Sequence, residues 1–204
     1  YPVSLTVTDD DGATDTKTTS VTVTAPTGPV THAMDNFGRT VSNAFGSADV
    51  GGAWTNTGGA SLYSVADGVG RHNLNVPGRT TKSTLGSVSA TDLTFATDIS
   101  FDKAPTGGGI YSSISVRSSG TNEYRVRVRA LPTGTEFMID RTANGVGALV
   151  ANTNIPGLIY TPGDTWRLQI DVTGTSPTTL TAKLWNTNGT EPAQPQLTAT
   201  DSTP

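Results

Sequence analysis

Four arginines form the densest group of chemically capable side chains in this sequence. They are Arg117, Arg125, Arg127 and Arg129. The last three alternate with apolar residues, and residues two apart in a β-strand point to the same face. A hairpin would bring the first one nearby. Because planar guanidinium groups suit carboxylate and sulfate groups, the cluster predicts a platform for acidic glycans. The alternative is a solvated sheet face with acid partners. The candidate partners are Asp98, Asp102 and Asp171.

Aromatic side chains offer a second way to bind a sugar, whose C–H face stacks on Trp or Tyr. Trp185 shares a strand face with Lys183 and Thr181, opposite apolar positions, and is predicted to be exposed. Trp54 follows two glycines, which leaves two interpretations, a plug at one end of the fold or the edge of a site. Trp166 lies on the apolar side of its strand and is predicted to be a core residue.

The residue sets that hydrolysis or elimination would need are missing from the sequence. His32 and His72 are the side chains able to act as bases near neutral pH, and no Gly-x-Ser-x-Gly motif accompanies them. A retaining glycosidase needs two carboxyl groups about 5 Å apart. Glu123, Glu136 and Glu191 stand alone in the sequence instead. We therefore expect a protein that is not an enzyme.

Composition argues against several classes of partner. The chain has no cysteine, so disulfides and thiolate metal sites are not available to it. Its formal net charge of -4 gives no overall attraction to nucleic acid or anionic membranes. No stretch approaches the roughly 20 apolar residues that span a bilayer. Hydrophobic residues make up 34% and charged residues 15% of the chain, which suits a Thr-rich β-sandwich better than an α/β enzyme.

The start of the chain predicts a β-hairpin. Residues 3–7 alternate apolar and polar, residues 9–12 (DDDG) form a turn, and Val21 and Val23 resume the alternation. Two strands alone are marginally stable in water, so the hairpin is expected to need partner strands from outside this sequence. Residues 25–29 contain two prolines, which lack a backbone N–H, and are predicted to form a linker.

Beyond the linker, period-two alternation recurs and no window shows helical spacing. The predicted strands are 93–101, 110–116, 124–130, 166–172 and 180–185, with another around Phe137 and Ile139 that ends at the Asn144-Gly145 turn. Antiparallel strands at this spacing, with no helices to cover a parallel sheet, indicate two packed sheets. The sequence therefore predicts an all-β antiparallel sandwich.

The first residues resemble a known module. Residues 1–13 (YPVSLTVTDDDGA), followed by Val21-Thr22-Val23, resemble the closing hairpin of a PKD domain. The resemblance implies an immunoglobulin-like spacer of secreted and cell-surface proteins. It also implies that the hairpin belongs to an incomplete immunoglobulin-like domain, since the family's earlier strands are not part of this sequence.

Four later segments resemble a concanavalin-like jelly-roll module, which recurs beside PKD repeats in secreted actinobacterial multidomain proteins. They are residues 35–39 (DNFGR), 51–54 (GGAW), 124–128 (YRVRV) and 165–168 (TWRL). The resemblance implies a jelly-roll β-sandwich over residues 35–204.

The jelly-roll resemblance carries two further expectations. Such modules often hold their terminal segments with calcium, bound by oxygen ligands. The candidate calcium ligands are Asp35, Asp49 and Asp201. An opening strand of such a module usually pairs with a closing one, whereas this chain stops at residues 201–204 before a closing apolar run. The closing strand is therefore expected to be missing.

These observations predict domains and a role. We expect a partial PKD-like hairpin over residues 1–26, a linker over 27–34 and a jelly-roll sandwich over 35–204. The expected role is a non-catalytic carbohydrate-binding or surface-attachment module of a secreted, extracellular bacterial protein, with a polysaccharide or cell-surface glycan as partner. The predicted binding residues are Arg117, Arg125, Arg127, Arg129, Trp185 and Trp54.

Two alternative roles stay open. One is a structural spacer, or a self-assembling fibre component whose terminal strands pair with a neighbouring chain. The other is a polysaccharide lyase or hydrolase of jelly-roll type, with Tyr124, His72 and Arg127 around one cleft.

Overall fold

The computed structural model describes residues 2–22 and 28–203 of the chain. The chain divides into two compact units, Tyr1–Val88 and Ser89–Pro204. We refer to them as the N-terminal unit and the C-terminal unit. Val23 and the linker residues 25–27 lie outside the described residues, so the predicted end of the hairpin and start of the linker stay predictions. The extent of a single jelly roll from residue 35 also stays a prediction.

A hairpin opens the N-terminal unit. Strands β1 (Pro2–Thr8) and β2 (Thr14–Ser20) pair in antiparallel fashion. Asp9 closes the turn, because its Oδ1 atom accepts hydrogen bonds from the backbone N–H groups of Asp11 (3.2 Å) and Ala13 (2.8 Å). Aspartate is common in turns for this reason. The predicted hairpin is confirmed, although β2 ends before Val21.

Short strands surround an aromatic core in the rest of the N-terminal unit. They are β3 (Val41–Ser42), β4 (Thr55–Thr57), β5 (Tyr63–Ala66), β6 (Val69–His72) and β7 (Lys82–Thr84). One sheet has the order β3-β5-β6, and β4 pairs with β7. The buried residues of the core are Phe45, Leu62, Tyr63 and Val65, with Phe37, Val41 and Trp54 packed against them. So small a core leaves this unit dependent on polar contacts around it.

The C-terminal unit consists of two four-stranded antiparallel sheets. Its strands are β8 (Leu93–Ile99), β9 (Ile110–Ser119), β10 (Asn122–Leu131), β11 (Gly134–Ala143), β12 (Val146–Ile155), β13 (Trp166–Thr173), β14 (Thr178–Asn186) and β15 (Leu197–Asp201). The first sheet has the order β12-β11-β10-β9, and the second has the order β15-β14-β13-β8. Asn144 and Gly145 join β11 to β12 with φ angles of 49° and 78°, as a tight hairpin turn requires.

One core is shared by both sheets of the C-terminal unit. Val126 and Val128 of the first sheet and Leu168 and Ile170 of the second have 0% exposure, and Trp166 is buried among them. The predicted all-β antiparallel sandwich is confirmed, and Trp166 is a core residue as predicted. The jelly-roll subclass stays a prediction.

Two strands of the C-terminal unit were not predicted from the sequence. β12 mixes Gly, Ala and Asn with β-branched residues, so its strand signal is weak. β15 is short, and its Leu197 and Ala199 face the core while the strand pairs with β14. The expectation that a further closing strand is missing stays a prediction. Among the described residues, the structure contains no helix with the length and apolar character of a membrane span.

Candidate functional site

The arginine strand β10 presents its charged side chains on the outer face of the first sheet. Val126 and Val128 point into the core, and Arg125, Arg127 and Arg129 alternate with them on the opposite side. The three arginine side chains are 38%, 30% and 28% exposed. The alternation predicted for this strand is therefore confirmed.

The neighbouring strand β11 supplies acid partners for these arginines. Asp140 lies opposite Arg125, and Glu136 lies opposite Arg129. Asp140 accepts hydrogen bonds from Arg125 (3.4 Å) and Arg127 (3.1 Å), and Glu136 accepts one from Arg129 (2.9 Å). The bond to Glu136 raises the pKa of Arg129 above its ordinary value. Charge-assisted bonds of this kind hold the guanidinium groups in fixed positions.

This pairing makes the face electrically balanced rather than basic. Glu123, Glu136 and Asp140 share it with the three arginines, and Glu123 lies 4.0 Å from Arg125. The acid partners thus come from β10 and β11 and not from the acids that the sequence suggested. Those acids were Asp98, Asp102 and Asp171.

Tyr111 on β9 is the exposed aromatic residue of the same face. It is 49% exposed and lies opposite Arg129 in the β9–β10 register. The guanidinium carbons of Arg129 and Arg127 lie 5.2 Å and 5.9 Å from its ring centroid, within the range of a cation–π contact. The sequence analysis did not single out Tyr111, although period-two alternation along β9 would have placed it outward.

A row of polar and aromatic side chains crosses the whole first sheet at this level. Asn154, Glu136, Arg129 and Tyr111 lie opposite one another on β12, β11, β10 and β9. Neighbouring strands are about 4.8 Å apart, so the row spans roughly 14 Å. We call it the Tyr111 row. A cleft of about 220 Å³ adjoins its end. Its lining comes from the β10–β11 turn, the adjoining strand ends and the end of β12, and consists of Leu131, Thr133, Gly134, Thr135, Glu136, Asn154 and Pro156.

Arg117 does not belong to this row. Its side chain is 14% exposed, and its Nη2 atom lies 3.1 Å from Asp92. It also donates hydrogen bonds to the Thr91 carbonyl (2.6 Å) and to the Thr178 hydroxyl (2.9 Å), which belongs to β14 of the second sheet. These contacts make Arg117 a connection between the two sheets, whereas the sequence grouped it with the β10 arginines.

Trp185 lies on the outer face of the second sheet. Along β14, Leu184 and Ala182 are buried while Trp185, Lys183 and Thr181 are partly exposed, as the sequence predicted. Across β13 and β8, Trp185 lies opposite Arg167, which in turn lies opposite Asp98.

The other predicted tryptophan, Trp54, packs at the edge of the N-terminal core. Its ring stacks on Phe37 with centroids 6.3 Å apart and meets Phe45 edge-on at 5.9 Å. Its indole N–H donates to Asp35 at 2.7 Å. The sequence left two interpretations of Trp54, a plug at one end of the fold and the edge of a ligand site. These contacts favour the plug.

Asp35 holds the turn at residues 35–39 of the N-terminal unit. Its side chain is 4% exposed. Both oxygens accept hydrogen bonds from Arg39 at 2.8 Å, and the Phe37 backbone N–H adds another at 2.9 Å. Burial acts to raise the pKa of Asp35, but the bonds from Arg39, Trp54 and Phe37 outweigh it and the pKa is lowered. Asp49 accepts a bond from the neighbouring Asn36 N–H (2.8 Å), so it braces the same segment.

Asp201 joins the two sheets of the C-terminal unit. It lies at the end of β15 with 9% exposure, while its partners Tyr124 and Arg141 lie on β10 and β11 of the other sheet. Its carboxylate accepts hydrogen bonds from the Tyr124 hydroxyl (3.0 Å), Arg141 (3.1 Å) and the Thr203 N–H (3.0 Å). Burial acts to raise the pKa of Asp201, but these bonds outweigh it and the pKa is lowered.

Protein donors therefore already bind Asp35, Asp49 and Asp201, the three predicted calcium ligands. Within the described parts of the chain, no group of three or more His, Asp or Glu residues is arranged to hold a metal ion. Calcium binding stays a prediction.

Acid should weaken both units through these carboxylates. The folded pKa of Asp35 and of Asp201 lies below the ordinary 3.8, so their contribution is fully present above about pH 5 and is lost as pH falls through the folded pKa. For the C-terminal unit we expect the urea midpoint to be constant from pH 7 to pH 5 and to fall between pH 4 and pH 2.5. For the N-terminal unit the fall should begin already below about pH 6.5, because His72 takes up a proton more readily in the unfolded chain, and it should continue below pH 4 through Asp35. In the variant Asp201→Asn, the acid-induced loss in the C-terminal unit should be smaller. A midpoint that is unchanged or rises toward pH 2.5 would contradict the assignment.

Two residues of the lyase alternative, Tyr124 and Arg127, do not face the same side of the first sheet. Tyr124 and Arg127 lie on opposite faces of β10, because their positions differ by an odd number. Tyr124 is 8% exposed and faces the core, where burial raises its pKa. His72 stands edge-on to the rings of Phe45 (5.1 Å) and Tyr63 (5.2 Å). Part of the ring remains exposed, yet its desolvation lowers the pKa of His72.

The class that the fold defines is an all-β protein built on an antiparallel sandwich. No family model, curated protein or solved structure matched the chain. The PKD and jelly-roll resemblances stay predictions.

Proposed function

We propose that the C-terminal unit is a non-catalytic carbohydrate-binding module that binds a neutral polysaccharide or cell-surface glycan on the outer face of the β9–β12 sheet. The observation that carries the proposal is the exposed ring of Tyr111, with Arg129 5.2 Å and Arg127 5.9 Å from its centroid. A sugar ring stacks its C–H face on such an aromatic ring, while its hydroxyls bind neighbouring polar groups. The same proposal places the protein outside the cell, as part of a secreted multidomain bacterial protein.

The side chains around Tyr111 are preorganised for binding. Glu136 and Asp140 hold Arg129 and Arg127 through hydrogen bonds of 2.9 Å and 3.1 Å. Ordering of side chains is one of the main costs of association. Because these side chains are already held, binding adds little to that cost. Asn154 and the adjoining cleft extend the same surface with hydrogen-bonding groups.

The charge balance of the face favours a neutral ligand. An acidic glycan would have to compete with Glu136 and Asp140 for the arginines, or lie beside these carboxylates. A neutral chain uses the free lone pairs of the carboxylates and the remaining N–H groups without breaking an ion pair. We therefore replace the acidic glycan suggested by the arginine spacing with a neutral one.

Removal of the Tyr111 ring should weaken glycan binding. We expect native gels containing hydroxyethyl cellulose or galactomannan to retard the wild-type chain, and the variant Tyr111→Ala to bind roughly tenfold more weakly because it loses the stacking surface. Tyr111→Phe keeps the ring and should bind nearly as well as the wild type.

The matched control is Val146→Ala, at a 70% exposed position of the same sheet away from the row. Alginate and heparin gels test the acidic alternative. Stronger retardation by these two polymers than by the neutral ones, or equal binding by Tyr111→Ala and the wild type, would contradict the proposal.

The internal ion pairs of the face also favour a second candidate, a structural spacer. Arg125, Arg127 and Arg129 all have partners within the sheet, an arrangement that stabilises a surface without any ligand. In addition, Val3, Leu5 and Val7 of β1 are 50–67% exposed, an apolar row that face-to-face packing against a neighbouring chain would cover. A chain that no polymer retards, and that forms concentration-dependent oligomers in size-exclusion chromatography, would support this candidate.

A further inference from the structure

The second sheet of the C-terminal unit also carries an aromatic residue on its outer face. Trp185 is partly exposed on this face, and Arg167, Gln169 and Lys183 lie near it on β13 and β14. Directly across β13 lies Arg167, whose side chain is 43% exposed. Opposed side chains of this kind lie about 5 Å apart at their Cβ atoms, so Arg167 and Trp185 occupy the same part of the outer face.

Arg167 is locked in place on this face. Asp98 accepts two hydrogen bonds from it, at 2.5 Å from Nε and 2.8 Å from Nη2. The paired geometry fixes the plane of the guanidinium group and raises the pKa of Arg167. On the other side of Trp185, Lys183 is held by Glu191 at 2.6 Å. Polar groups with fixed positions therefore flank the indole on two sides.

The arrangement on this sheet repeats the order of residues in the Tyr111 row. In both sheets an acid, an arginine and an aromatic residue lie opposite one another on three adjacent strands. On the second sheet the row is Asp98, Arg167 and Trp185, and we call it the Trp185 row. The two rows share no residue. They lie on opposite sides of the sandwich, since the inner faces of both sheets contact one core.

We propose that the Trp185 row is a second glycan-binding site, so that the C-terminal unit is bivalent and links two polysaccharide chains. The ligand class is that of the proposed function, but the second site rests on its own residues. Two sites that face away from each other cannot bind one short segment of glycan together. They join separate chains, and the gain in avidity then depends on the spacing of the chains.

A glycan fits this face better than a second protein chain does. The side chains near Trp185 on the outer face include Arg167, Gln169 and Lys183, all polar or charged. Stable protein interfaces need a larger patch with an apolar centre. A single aromatic ring among fixed hydrogen-bonding groups matches the requirements of a sugar ring.

An agglutination assay distinguishes a protein with one glycan site from a protein with two, because only the latter can link two beads. Beads coated with galactomannan, and others with hydroxyethyl cellulose, are mixed with the wild type, Tyr111→Ala, Trp185→Ala and the double variant. We expect the wild type to bind and agglutinate the beads. Each single variant should bind the beads about tenfold more weakly without agglutinating them, and the double variant should do neither. Trp185→Phe should keep agglutination, and Thr200→Ala, on the exposed side of β15, is the matched control.

The outcomes distinguish the two proposals. If Trp185→Ala agglutinates beads as the wild type does, or if the wild type binds without agglutination, the second site is refuted while the Tyr111 row stands. If Tyr111→Ala has no effect but Trp185→Ala abolishes binding, the first proposal fails and the Trp185 row remains a glycan site. A wild-type dimer in size-exclusion chromatography that Trp185→Ala dissociates would show a protein contact and overturn the inference. Absence of wild-type binding to both polymers overturns both proposals.

Discussion

The variant Asp201→Ala should lower the free energy of unfolding of the C-terminal unit by about 3 kcal/mol. Asp201 is 9% exposed and accepts hydrogen bonds from Tyr124 and Arg141. Its removal takes the carboxylate away from a buried hydroxyl and a guanidinium group and leaves them their contacts with Thr203. Removal of one partner from a buried ion pair costs about 3–5 kcal/mol. The lower end applies here because the Arg141 side chain is 26% exposed and water can partly solvate it.

Hydrogen exchange followed by mass spectrometry on the full chain measures this effect. Peptides from β14 and β15 should lose protection first, because Asp201 ties the end of β15 to the other sheet. Thr200→Ala, one residue earlier on the exposed side of the strand, is the control and should change stability by less than about 0.5 kcal/mol. Equal protection of β15 in Asp201→Ala and the wild type would show that the carboxylate does not hold the strand.

The variant Asp35→Ala should have an equal or larger effect on the N-terminal unit, about 3–5 kcal/mol. Its side chain is 4% exposed and accepts hydrogen bonds from Arg39, Trp54 and the Phe37 backbone. The loss removes the bond that orients the Trp54 indole, which stacks on Phe37 and meets Phe45 edge-on. Because a whole domain is stable by only about 5–15 kcal/mol, a unit with so small a core should become largely unfolded.

Protection of the β5 amides reports on this unit directly, since Tyr63 and Val65 belong to its core. Asp35→Asn should be intermediate, because one oxygen remains while the new NH₂ group faces donors. The control is Asp67→Asn, which removes the charge of an 87% exposed carboxylate 3.6 Å from Arg71 and keeps a side chain that tolerates the φ of 56° at this position. It should change stability by less than about 1 kcal/mol. A β5 strand as protected in Asp35→Ala as in the wild type would contradict the role of Asp35.

Strand periodicity made much of the C-terminal unit predictable. Side chains alternate strictly across a strand, so the sequence places Val126 and Val128 inside and the β10 arginines outside whatever the rest of the fold. The same argument correctly separated Trp166, which is buried, from Trp185, which is partly exposed. It also applies to Tyr111, which was not predicted because it lies at the start of β9 between Ile110 and Ser112, where no charged or repeated motif marks it.

Strand pairing and packing between sheets could not be predicted from the periodicity of the sequence. The β10–β11 register brings Asp140 and Glu136 to the arginines, and a shift by one residue would have turned both acids toward the core. Asp201 meets Tyr124 from 77 residues away, and Trp54 meets Asp35 from 19 residues away. No local pattern encodes such separations, because they depend on how sheets stack and loops close.

The four arginines predicted to bind a ligand show what the sequence determined and what depended on the tertiary structure. The sequence by itself determined that Arg125, Arg127 and Arg129 share an outer face, because alternation is a property of each strand alone. Only the tertiary structure decided that acids of β11 neutralise that face, that Arg117 turns toward the second sheet and that Tyr111 lies beside Arg129. These features depend on register and on contacts between sheets, where residues far apart in the chain become neighbours.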